Sequence, residues 1–108
     1  MPLTISFKER VCDRAASDPD FATGILIEAT QAFLNGEINV GKSLLRDCIN
    51  ATIGFASLAE KTGIPAKSLQ RMFSRAGNPQ TDNLFTVIVA LQQHNNIALE
   101  VAAGDRAA

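Results

Sequence analysis

A single glycine, Gly63, separates two short amphipathic segments with almost no loop between them, in the stretch FASLAEKTGIPAKSLQRMFSRAGNP over residues 55–79. The first segment, 55–62, places Leu58 and Ala59 on one side. The second, 65–76, repeats Leu69, Met72, Phe73 and Ala76 at i, i+3, i+4 and i+7, which is the stripe of a helix with one buried face. A link this short demands a backbone turn of positive φ, which glycine adopts without steric penalty. The chain must therefore bend sharply and pack two helices across each other. Ala59 allows the close approach of a steep crossing, and Ile64 is placed to fill the gap beneath the bend.

Leu58, Ala59, Gly63, Ile64, Leu69 and Met72 together make the framework of a helix-turn-helix. The opposite face of the second helix carries Ala66, Lys67, Gln70, Arg71 and Ser74, with Arg75 adjoining. Arg and Lys match guanine edges and phosphates, Gln matches adenine or phosphate, and Ala66 is too small to hold the backbone away from a surface. Charge follows the same division. Residues 55–79 balance at +3, whereas 1–54 and 80–108 each balance at −2, so a chain of net charge −1 concentrates its cations on one segment. Pro65 stands where a Ser or Thr cap is expected and brings neither a capping oxygen nor a donor.

A chain of 108 residues suits one domain with one modest core. No apolar run reaches the ~18 residues of a membrane span, and the first residues lack the apolar block of a secretory leader, so a cytoplasmic protein is expected. Cys12 and Cys48 lie far apart in apolar periodic segments and read as core thiols. With one histidine in the chain, His94, no zinc ligand set can be assembled. His94 falls near a helix end, where a cation is favoured. Asp18, Asp20 and Glu28 sit near a helix start and are not read as a catalytic pair. GEINVGKS (36–43) brushes the phosphate-loop pattern, but its glycine spacing is wrong and no strand leads into it. No cofactor site and no enzyme are expected.

The remaining elements read as helices. Residues 6–17 carry Phe7, Val11 and Ala15 on one side. Asp18 caps a helix opened by Pro19, with Phe21, Ile25, Ala29, Ala32 and Phe33 inward and Asn35 with Gly36 as its stop. Residues 40–53 bury Leu44, Leu45, Cys48, Ile49 and Ile53, and Gly54 ends that helix. After the turn at Gly77, Asn78 and Pro79, Thr81 or Asp82 caps a helix to about 94, with Leu84, Val87, Ile88 and Leu91 inward. Over 96–102 the period changes to two, which predicts a short strand that pairs with a second copy of the chain.

The combination LRD (45–47), ATIGFASLA (51–59), KSLQRMF (67–73), GNP (77–79) and NL (83–84) resembles the addiction-module antidote family, helix-turn-helix antitoxins of the phage-repressor class. DPDF (18–21) and FLNGE (33–37) are similar to a longer form of that family. The resemblance implies a cytoplasmic protein that binds an inverted-repeat operator as a dimer, represses its own operon and neutralises a toxin, often a RelE-like ribosome-dependent ribonuclease. By position it implies that Lys67, Ser68, Gln70, Arg71 and Ser74 face DNA, with Ser57 and Asn78 at phosphates.

The expectation is thus one all-α domain over 1–108. It comprises N-terminal helices (6–36), a five-helix helix-turn-helix domain of the phage-repressor type with its core over 40–94, and a C-terminal β-strand (96–102). A stand-alone repressor without a toxin, and a helical adaptor whose polar stripe meets an acidic protein, remain open alternatives.

Overall fold

The computed structural model describes residues 19–105, and the expected helix over 6–17, Cys12 and the Asp18 cap lie outside them. The described residues form five helices and no strand: α1 (Pro19–Leu34), α2 (Ile38–Ala51), α3 (Phe55–Thr62), α4 (Ala66–Met72) and α5 (Thr81–Asn95). α1 and α2 lie along each other, and α3 packs on α4 and on α5. A single apolar cluster drawn from all five helices holds them together.

Proline opens α1 as expected, and Gly36 leaves it at φ +82°. The buried face of α1 is rotated from the expected stripe. Leu26 and Ala22 lie at its centre with Ile25, Ala29 and Ala32, while the bulky Phe21 and Phe33 pack at its margins, partly exposed. In α2 the stripe Leu45, Cys48 and Ile49 is fully buried, and Leu44 and Ile53 are only partly so. The helix stops at Ala51, where the Thr52 hydroxyl donates to the Cys48 carbonyl at 2.7 Å and competes with continuation of the turn.

Two expectations change at the C-terminal side of the bend. The helix foreseen over 65–76 ends at Met72, so Ala76 is exposed and not part of the apolar stripe. Neither Thr81 nor Asp82 caps α5. Gln80 occupies the cap position with no side-chain bond, and Asp82 lies within the first turn, accepting from the Asn83 amide at 2.9 Å. Val87, Ile88, Ala90 and Leu91 close α5 onto the core.

Beyond α5, Asn96 turns left-handed at φ 57° and residues 97–105 follow without regular structure. Gln92 ties this tail down. Its carbonyl accepts from the Ile97 amide at 3.0 Å and its side-chain oxygen from the Leu99 amide at 2.8 Å. Ile97 and Leu99 rest on the core, while Val101, the next residue of the same alternation, is 87% exposed.

Burial pushes the Cys48 thiol up to about 11, partly opposed by its hydrogen bond with Thr52. The thiol is neutral in the fold, and the unfolded chain ionises it from its ordinary value of 9.0. The unfolded state therefore holds fewer protons above that pH, and stability falls as pH rises from 9.0 towards about 11. Urea unfolding at pH 8 and pH 10.5 is expected to show a loss in wild type that a Cys48→Ala variant lacks, on top of any decline the two share.

Candidate nucleic-acid interface

The bend between α3 and α4 is stitched by backbone and one hydroxyl. Gly63 adopts φ +76°, and its amide donates to the Ala59 carbonyl at 2.9 Å, closing the last turn of α3. The Thr62 hydroxyl donates to the Leu58 carbonyl at 2.8 Å and accepts from the Ile64 amide at 3.2 Å. One side chain thus satisfies the last turn of α3 and the first amide beyond the bend. Leu58 and Leu69 are fully buried on either side of it, and Ala59, Ile64 and Met72 pack against the core. Pro65 precedes α4 at its cap position, where no side-chain bond is made.

With that framework inward, Lys67, Gln70 and Arg71 are exposed together on the outer side of α4, and Ser68 is half-buried beside them. Ser57, in the first turn of α3, and Arg75 and Asn78, beyond α4, are exposed as well. Ser74 differs from its expected role. It lies after the end of α4, half-buried, and its hydroxyl donates to the Arg71 carbonyl at 2.6 Å.

The C-terminal end of α4 is held from across the fold. Lys42, 4% exposed on α2, sends its ammonium to the carbonyls of Ser74 (3.2 Å), Arg75 (3.2 Å) and Gly77 (2.6 Å). One turn along α2, Arg46 Nη1 donates to the Phe73 carbonyl at 3.3 Å. A helix C-terminus presents carbonyls without internal partners and carries a partial negative charge, so cations are favoured there. Here both cations come from a different helix, and the carbonyls they take belong to the turn that follows Met72. The chain folds back so tightly that a Cβ on Gly77 would fall on the Arg71 carbonyl oxygen and within 2.8 Å of that of Met72. Phe73, 1% exposed, anchors the exit from α4 in the core.

No family model matches this chain, and neither a search of curated proteins nor one of solved structures returns a match.

Three residues that build this surface are absent from the sequence reading: Lys42, Arg46 and Thr62. A signal for Lys42 was present, since position 42 continues the stripe of Leu45, Cys48 and Ile49 by one turn. A lysine in an apolar register is a lysine that is buried or snorkelling. Among the described residues no group of three or more His, Cys, Asp or Glu side chains is placed to hold a metal ion, and no helix is long and apolar enough to cross a membrane.

Lys42→Met keeps the apolar stem and removes the ammonium, leaving three carbonyls short of a donor. It is expected to destabilise the fold by about 2–4 kcal/mol in urea unfolding. Gly77→Ala, which drives a methyl into the end of α4, is expected to cost about 1–3 kcal/mol. A Gly77→Ala variant as stable as wild type would mean the turn does not pack in this way.

Proposed function

We propose that this chain is a sequence-specific DNA-binding antitoxin, acting in the cytoplasm, that represses its own operon as a homodimer and neutralises a cognate toxin by direct contact. The observation that carries the DNA reading is the joint exposure of Lys67, Gln70 and Arg71 on one face of a short helix pinned at both ends. Side chains that read base edges must be held in a fixed register against the groove, and two cations with an amide are the chemistry the major groove accepts. In this reading α3 and α4 are a helix-turn-helix of the phage-repressor type. α4 enters the major groove, and Ser57, Ser68, Arg75 and Asn78 approach the backbone and groove edges. Ser74 contributes through the shape of the turn, since its hydroxyl is engaged at Arg71. The toxin, with a RelE-like protein as the expected partner, rests on the sequence resemblance alone.

A two-fold operator calls for a second copy, with the two reading helices about 34 Å apart, one turn of DNA. The tail supplies a means. Among the described residues, the backbone groups of residues 98 and 100–105 make no backbone hydrogen bond, and the apolar alternation runs out into solvent at Val101. Pairing of 96–102 across a two-fold would turn this segment into the strand that its periodicity describes, and would cover Val101.

Gel-shift titration against DNA from upstream of the gene is the direct test. Arg71→Ala is expected to weaken binding by about 1–3 kcal/mol, and Lys67→Ala to weaken it and flatten the salt dependence by about 0.9 per lost phosphate contact. Unchanged affinity in both variants would sink the reading. For the dimer, Val101→Lys leaves the protomer fold untouched because the side chain is exposed, yet sedimentation should show dissociation at least tenfold easier, on the order of 1.4 kcal/mol. A dimer as tight as wild type would exclude pairing through the tail.

A further inference from the structure

We propose that the cleft between the first half of α2 and the turn after α4 is a seat for a phosphate group of the DNA backbone, with the Arg46 guanidinium as its principal ligand. The proposal rests on the DNA reading above and adds to it a second point of contact, on a helix outside the α3–α4 pair.

The cleft has a volume of about 300 Å³ and is lined by Asn39, Ser43, Arg46, Ser74 and Arg75 together with Lys42 and the Phe73 ring, with no acidic side chain among them. Lys42 cannot be a direct ligand, because its three donors are spent on three carbonyls, but its charge stays beneath the cleft. Arg46 is in a different position. Its Nη1 is committed to the Phe73 carbonyl, while its Nε is shut off from solvent and has no acceptor among the described residues. A guanidinium offers donors in a fixed planar fork, and Nη2, which makes no hydrogen bond among the described residues, is the donor left to a phosphate oxygen in the cleft. A guanidinium with a donor still uncommitted, at a cleft lined by cations and no acid, points to an anion as the missing acceptor. Ser43 and Asn39 lie one and two turns before Arg46 and can supply neutral donors, and Arg75 is exposed. Since Ser74 and Arg75 immediately follow α4, a backbone phosphate flanking the groove read by α4 is the anion nearest to hand.

The test uses the full chain and duplex DNA from upstream of its own gene, with affinity measured across a salt series. Asn39→Asp and Ser43→Asp place a carboxylate at the seat within the first turns of α2, where an acid is compatible with the helix, so folding is expected to persist. Each should weaken binding at least about tenfold and lower the slope of log affinity against log salt by about 0.9 per seat. Arg46→Lys, which keeps the charge and loses the fork, should weaken binding without restoring it at low salt. Wild-type affinity and slope in both aspartate variants, alongside an impaired Arg71→Ala, would overturn the seat and leave the repressor reading standing. Should wild type fail to retard duplex DNA, the repressor reading falls, and the seat is judged by titrating inorganic phosphate while following the Arg46 Nε resonance. A saturable shift absent from Asn39→Asp supports an anion site, and no shift overturns it.

Discussion

The surface of this protein depends on one ammonium group. Lys42 reaches from α2 to three successive parts of the chain after α4, across sequence separations of 32 to 35 residues. An isolated charge is costly to bury, and it is tolerated only where polar groups replace its water. The carbonyls of the turn after α4 are such groups, so the contact resolves two unfavourable situations with one set of bonds. It also fixes the path beyond α4. With the carbonyls of Ser74, Arg75 and Gly77 turned towards Lys42, the turn that leads to Asn78 is set.

α4 itself has 7 residues, well short of the length at which a helix holds its shape alone in water. It persists because both ends are fixed by neighbours. At its start, the Thr62 hydroxyl and the left-handed Gly63 set the angle of entry, and at its finish Lys42 and Arg46 gather the exit carbonyls. Between them Leu69 is fully buried and Phe73 follows into the core, which leaves rotation about the helix axis little freedom. The polar residues gain their common direction from these constraints. The same short helix without its clamps would present Lys67, Gln70 and Arg71 as an ensemble of directions, with the ordering still to be paid on binding.

Local signals in the chain were read well where the cause is local. Gly63 lies at positive φ because the link is too short for any other solution, and the bounds of α3 agree with the sequence reading residue for residue. The stripe of Leu45, Cys48 and Ile49, and that of Val87, Ile88 and Leu91, were visible as period 3.6. The turn after α4 is different: beyond Met72 the Ser74 hydroxyl bonds back to Arg71 and a lysine on another helix holds the chain, and periodicity within 65–76 carries no trace of either. In α1 the two phenylalanines lie at the margins of the contact, and Leu26, which the stripe of 21, 25, 29, 32 and 33 omits, is fully buried. A helix continued over 65–76 would turn Ser74 outward, but with α4 ended at Met72 its hydroxyl folds back on the Arg71 carbonyl. The tail over 97–102 shows its alternation in sequence, yet no strand among the described residues lies beside it to pair with.

α5 gives the molecule a mechanical property. Its 15 residues make a strut of about 22 Å. The strut begins just beyond the basic turn that Lys42 gathers, and near its far end Gln92 grips the tail through main chain and side chain. A straight helix transmits tilt from one tip to the other with little bending. Whatever docks at the tail therefore shares a lever with the basic turn, and a small rocking of α5 about its buried middle would displace both extremities at once, in opposite senses.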